Sequence, residues 1–217
     1  MSKYDLAVFD LDGTLLDTRA GVISALRYTI DELGYKMPDE ETLNTFIGPP
    51  VQDSFARVYG LEGSILQDIA TLFRNYYSTK TLLEAKLYDG IIDVFSELCN
   101  RGIKPAVATY KREDYAVKLL CHFGFDKYTD IMFGGDHENK LKKRDIIEKC
   151  ISVGGVSDIG RVVMIGDTDL DAIGAEAVGA DFIGVSYGFG FKTLDDIKTV
   201  KSVGGVDRAI DLLKFFD

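Results

Sequence analysis

The chain has 217 residues, 46% of them hydrophobic and 28% charged, an ordinary balance for a globular protein and enough to bury a full core in one domain or one domain with an insertion. A formal net charge of −10 argues against broad binding to nucleic-acid polymers or anionic membrane surfaces. No apolar run approaches the ~20 residues of a membrane span, and Met1-Ser2-Lys3-Tyr4 leads into a strand without a signal-peptide pattern, so a cytoplasmic location is expected.

Residues 6–9 read as a buried strand, and Asp10 and Asp12 follow where that strand must end. Gly13 then turns the backbone and Thr14 adds a hydroxyl. Thr18 is a candidate cap for a helix over 19–33, in which Val22, Ile23, Leu26, Ile30 and Leu33 recur at helical spacing before Gly34 stops it. Pro38 and Asp39 open a short helix ending near Gly48, Gly48-Pro49-Pro50 breaks the chain, and 51–59 read helical up to Gly60. Ser64 caps a longer helix running to about Ser78. This stretch has little strand character, so residues 16–87 are expected to form a small helical domain inserted into a core made of 1–15 and 88–217.

A return linker over 87–90 leads to a helix over 91–101 and a strand over 103–108, with Thr109-Tyr110-Lys111 at its end. An amphipathic helix over 112–123, a short strand over 131–133, a helix over 142–153, a strand opening at Val162 and a helix over 170–178 follow. A strand over 182–185 and a closing helix over 206–216 complete the pattern. Strands alternating with helices indicate a parallel sheet with right-handed crossovers. The expected class is α/β, a Rossmann-like parallel sheet with helices on both faces and an all-helical insertion after the first strand.

Three further features read as structural. Ser-Val-Gly-Gly-Val occurs at 152–156 and again at 202–206 with different flanks, which makes no repeat. Cys99, Cys121 and Cys150, odd in number and widely spaced, read as buried reduced thiols rather than a metal set with His122 and His137. Residues 184–190, with alternating glycines, do not fit a nucleotide fingerprint and are expected to form a mobile loop near the site edge.

In an α/β sheet, groups at the carboxyl ends of strands line the crevice where ligands bind. Asp10 and Asp12 repel each other unless a cation or proton intervenes. A second apolar strand ends in Gly166 and the carboxylates Asp167, Asp169 and Asp171, and two such strands at one edge would make an oxygen-rich site for a hard divalent ion. Thr109 is placed either to face a phosphate at that edge or to cap the next helix, and Lys142-Lys143-Arg144 forms either a solvated helix face or the source of one phosphate-anchoring lysine.

With these motifs in this order, the chain resembles the haloacid-dehalogenase-like hydrolase superfamily, in its phosphoglycolate-phosphatase-like branch, over essentially its whole length. The resemblance implies a Mg²⁺-dependent phosphatase acting on a small phosphomonoester, phosphoglycolate- or nucleotide-like, through an aspartyl-phosphate. It makes Asp10 the nucleophile and a metal ligand, and Asp12 the acid/base and a ligand through its backbone carbonyl. Asp167 matches a direct metal ligand, while Asp171 matches the downstream acid that either touches the metal or holds a coordinating water. Thr109 matches the residue that binds the transferring phosphoryl group, next to Tyr110, where a smaller polar residue is commoner, and Lys111, which faces either ligand or solvent. Lys143 is the best match to the phosphate-anchoring lysine, with Lys142 the alternative because the proline that often follows is missing.

The inserted helices resemble the small cap that closes over the site and selects the leaving group, hinged near Leu16-Asp17 and Tyr88-Asp89-Gly90. Residues 46–50 look like a cap segment near the substrate, and Arg19 and Arg57 are candidate substrate contacts. The expected partner is a small phosphorylated metabolite, with no nucleic-acid polymer and no membrane, the protein being a monomer or homodimer. A phosphomutase acting on a sugar phosphate is the nearest alternative, and a non-catalytic binding protein of the same fold is the next.

Overall fold

Largely apolar runs become the strands of one sheet, and helices with one apolar stripe cover it. The structure, a computed structural model, describes residues 2–136 and 140–217; His137 therefore lies outside the described residues. In chain order β1 (Leu6–Phe9), β2 (Leu16–Asp17), α1 (Arg19–Glu32), α2 (Glu40–Asn44), α3 (Val51–Tyr59), α4 (Ile65–Tyr76) and β3 (Lys86–Leu87) make the first part. Then come α5 (Ile91–Asn100), β4 (Lys104–Arg112), α6 (Glu113–His122), β5 (Met132–Gly135), α7 (Lys143–Gly154), β6 (Val162–Gly166), α8 (Asp169–Val178), β7 (Asp181–Val185), α9 (Leu194–Ile197) and β8 (Gly204–Val206). The six-stranded sheet has the order β5-β4-β1-β6-β7-β8, every pairing is parallel, and β2 pairs separately with β3.

Register places the site. Phe9 at the end of β1 lies opposite Val107 of β4 and Ile165 of β6, so Asp10 leaves the sheet between two neighbouring strand ends. Leu6, Val8, Ala106, Ala108 and Met164 pack on Ile146, Ile147 and Cys150 of α7 and on Ala172 and Ala175 of α8. Residues one step out of phase face the other way: the Phe9 ring lies 4.8 Å from Phe95 of α5, which lies 4.8 Å from Phe125. The period of two along β1 thus puts helices on both faces.

The chain divides into two compact units, Met1–Asp17 with Leu87–Asp217, and Thr18–Lys86. The second is the helical insertion after β1, with Leu26, Ile30, Leu43, Phe46, Phe55 and Ile69 as its core. Asp39 caps α2 by accepting from the Thr42 amide at 2.8 Å, whereas Thr18 and Ser64 precede their helices without a side-chain cap bond. Among the described residues, no helix is long and apolar enough to cross a membrane.

Several expectations are corrected. The second core strand runs on through Thr109 to Arg112, because a register shift between Ala108 and Arg112 lets it rejoin β5 at Gly135. β5 itself includes Gly134 and Gly135, where a Cβ would sit 2.5 Å from the Lys111 carbonyl oxygen and 2.7 Å from that of Tyr110. The closing helix is a 3₁₀ segment, Ala209–Phe215, preceded by an unforeseen strand: Gly204-Gly205-Val206 pairs with Ile183, Gly184 and Val185. α9 was likewise not foreseen. Cys150 is buried, but Cys99 and Cys121 are exposed, falling on the outer sides of α5 and α6.

Phe95 bridges β1 to the segment around Phe125, and its side chain is fully buried. Phe95→Ala is expected to destabilise the protein by about 3–5 kcal/mol, and Phe95→Leu by clearly less, as measured by denaturant unfolding.

Candidate active site

Four side chains from four strand ends or helix starts meet at the edge of the sheet. Asp10 follows β1, Asp167 follows β6, Asp171 lies in the first turn of α8, and Lys143 begins α7. One carboxylate oxygen from each of Asp10, Asp167 and Asp171 lies within 4.8 Å of the others, and all three residues are buried. The Lys143 ammonium reaches into the group, donating to Asp10 Oδ1 at 2.6 Å and to the Ala108 carbonyl at 3.0 Å, and lying 2.7 Å from Asp171 Oδ1. Lys142 is exposed at the N-cap, so of the two lysines only Lys143 enters the group.

Local structure holds each member. Asp171 Oδ2 accepts from the Thr168 amide and hydroxyl at 3.2 and 2.7 Å, a capping box that starts α8. A Cβ at Gly166 would fall 2.4 Å from the Asp171 carboxyl carbon, and one at Gly174 would fall 2.6 Å from Lys143 Cγ, so both side chains need glycine beside them. Tyr110 accepts the Lys143 amide on its hydroxyl at 2.9 Å and holds its ring 5.3 Å from the ammonium, a role its sequence position did not reveal.

The other expected residues make contacts of their own. Thr109 is buried in β4, where its hydroxyl accepts the Lys111 amide at 3.2 Å. The Asp12 carboxylate is outside the three-acid group and pairs with Lys111 Nζ at 3.0 Å. In the helical unit, Arg57 donates to the Thr45 carbonyl and hydroxyl at 3.0 and 2.9 Å.

Residues 7–185 match the family described as haloacid dehalogenase-like hydrolase. The chain belongs to that family. It is 32% identical to a 5'-nucleotidase of Pseudomonas aeruginosa over 189 residues, 87% of this chain and 85% of the relative. With a phosphoglycolate phosphatase of Agrobacterium fabrum it shares 33% identity over 191 residues, 85% of this chain and 81% of the relative. The solved structure of the Mycobacterium tuberculosis protein tyrosine kinase A superposes with a TM-score of 0.81 at 28% identity, covering 98% of this chain and 97% of that one. Within the haloacid dehalogenase-like hydrolases, the chain is thus phosphoglycolate-phosphatase-like, with a helical insertion after β1.

Electrostatics in this hydrolase are set by three acids sharing one buried base. Burial chiefly pushes the Asp10 carboxyl up to about 8; Lys143 opposes this, while Asp171, Asp167 and Asp12 add to it. Burial and Asp171 likewise push Asp167 up to about 6, against the amides of Gly190 and Phe189. Burial alone would depress the Lys143 ammonium, but Asp10 and Asp171 outweigh it and raise its pKa, so it stays charged. The group carries excess negative charge when ionised, because the one ammonium, 2.6 Å from Asp10 Oδ1 and 2.7 Å from Asp171 Oδ1, faces three carboxylates. Hard anionic oxygens with spare acceptor capacity are consistent with a site for a divalent cation.

Asp10 and Asp167 hold protons more tightly folded than unfolded, so their contribution to stability is full below the ordinary carboxylate pKa of 3.8 and is lost as pH rises through about 6 and 8. The EDTA-treated protein is therefore expected to lose thermal stability between pH 5 and 8. A divalent cation at about 100 times its pH 8 dissociation constant should restore ~5–10 °C at pH 8 and less at pH 5, read by calorimetric unfolding.

Proposed function

We propose that this protein is a Mg²⁺-dependent phosphatase that hydrolyses a small phosphomonoester through an aspartyl-phosphate on Asp10. The observation that carries this reading is the Asp10 carboxylate itself, at the carboxyl edge of a central strand, held by Lys143 at 2.6 Å and grouped with Asp167 and Asp171. Asp10, Asp167 and Asp171 would hold Mg²⁺, with Asp12 contributing its backbone carbonyl. The bound ion supplies positive charge to the non-bridging phosphate oxygens.

A phosphate ester repels anionic nucleophiles, so catalysis depends on neutralising charge and aligning the attack. Asp10 contributes a carboxylate oxygen to phosphorus, and the bond to the leaving alkoxide breaks as Asp12 gives that oxygen a proton. Asp12 then takes a proton from water as it attacks, the bond to Asp10 breaks, and inorganic phosphate leaves. Lys143 and Thr109 hold phosphoryl oxygens during both steps. The helical insertion, acting as a cap, excludes other water and selects the leaving group. Similarity to proteins named as a 5'-nucleotidase and a phosphoglycolate phosphatase supports a compact phosphorylated metabolite as substrate.

The test is phosphate release from a panel of phosphomonoesters, with Mg²⁺ or EDTA. Asp10→Asn is expected to abolish metal-dependent release by at least ~10³-fold, and Asp12→Asn to lower it by about 10²–10⁴-fold for alkyl esters. Equal release by wild type and Asp10→Asn overturns Asp10 as nucleophile. The likeness to a protein named as a tyrosine kinase favours one second reading, transfer to an acceptor other than water. Phosphate found on an added sugar phosphate or protein instead of free in solution would select it.

A further inference from the structure

The glycine-rich segment after β7 predicts a loose loop, yet it is tied to a candidate cation ligand. The amides of Phe189 and Gly190 donate to Asp167 Oδ2 at 2.7 and 3.0 Å, and the Phe191 amide donates to the Asp167 carbonyl at 2.7 Å. On the far side, the Thr14 hydroxyl makes a long contact of 3.4 Å with Asp167 Oδ1. Thr14 is in turn gripped by the same segment, since its carbonyl accepts the Tyr187 hydroxyl at 3.0 Å. The contacts close a ring from the turn after Asp10, through Asp167, to residues 187–190 and back.

Space in this ring leaves no room for side chains at two points. A Cβ at Gly188 would lie 2.3 Å from the Gly13 carbonyl oxygen, and one at Gly190 would lie 2.2 Å from that of Asp167. Neither glycine has a left-handed backbone, so close approach, not torsional freedom, demands glycine at both. The Lys192 ammonium donates to the carbonyls of Gly188 and Phe189 at 3.3 and 2.5 Å and braces the segment from outside. Two good amide bonds on Oδ2 stop the carboxylate rotating and leave Oδ1, which among the described residues has only the long Thr14 contact, as its oxygen with spare acceptor capacity.

The geometry points to residues 187–190 as a preformed clamp that sets the affinity of this protein for a divalent cation. It does so by orienting Asp167 through the Phe189 and Gly190 amides and tying it to the Thr14 turn through Tyr187. The inference rests on the proposed role of Asp167 as a cation ligand. Partners that orient metal ligands generally alter affinity by 10–100-fold when removed.

The test uses Mg²⁺ alone on the full metal-free chain without substrate, read by titration calorimetry and thermal stabilisation. Gly190→Ala is expected to weaken Mg²⁺ binding by about 10–100-fold, and Tyr187→Phe by about fivefold, the worth of one neutral hydrogen bond. Hydrogen exchange at the Phe189 and Gly190 amides should be slow before any Mg²⁺ is added. Wild-type affinity in both variants overturns the clamp while leaving Asp167 as a ligand; no Mg²⁺ binding by the wild type overturns both. Should Gly190→Ala fail to fold, fast exchange of those two amides in the metal-free wild type overturns the clamp by itself.

Discussion

One buried ammonium decides whether this sheet edge can exist. Asp10, Asp167 and Asp171 converge within 4.8 Å, and carboxylates taken out of water at that spacing repel one another strongly. Lys143 lies 2.6 Å from one and 2.7 Å from another. It opposes but does not outweigh burial, which together with the neighbouring acids holds Asp10 and Asp167 above the ordinary carboxylate range. When ionised, the three carboxylates outnumber the one ammonium, an arrangement consistent with a site for a divalent cation. Stability and the proposed chemistry therefore draw on the same four side chains.

The fold makes this crowding possible by bringing in each charge from a separate rigid element. Asp10 rides on a strand paired on both sides, so its backbone cannot retreat: its amide donates to the Ile165 carbonyl at 2.9 Å. Lys143 and Asp171 come from the first turns of two adjacent helices, and Gly174 lets the lysine stem cross α8. Helix starts carry free amides and a positive dipole end, which suits both Asp171 as a capping acid and any phosphate bound close by. The cap box at α8 thus shares one carboxylate with the charge cluster, and what looks like ordinary helix capping also aims Asp171 Oδ1 at Lys143.

Much of this was legible in linear patterns. Apolar runs ending in acids marked β1 and β6, helical periodicity marked α1 and α6, and the alternation of the two implied a parallel sheet. Boundaries failed where tertiary pairing overrode local signals. Thr109 to Arg112 looks like the exit from a strand, but a bulge and the glycines of β5 let pairing continue. Gly204-Gly205-Val206 has little strand propensity and becomes one because β7 offers an unpaired edge. The glycines after β7 read as freedom, whereas they serve close approach.

By itself, the sequence determined which chemistry was available: acids at the ends of two apolar strands, a hydroxyl at a third, and a basic run at a helix start, because these depend on period and order along the chain. Only the tertiary structure shows that Lys143, and not Lys142, reaches Asp10, since this depends on which face of α7 turns to the sheet. It alone paired Lys111 with Asp12, set Tyr110 against the Lys143 amide, and brought Phe189 and Gly190 to Asp167. Backbone donors carry no side-chain signature, and contacts between residues many positions apart leave no period to read. The physical reason is that spacing encodes the direction of a side chain from its own element, while its partners are set by how the elements pack.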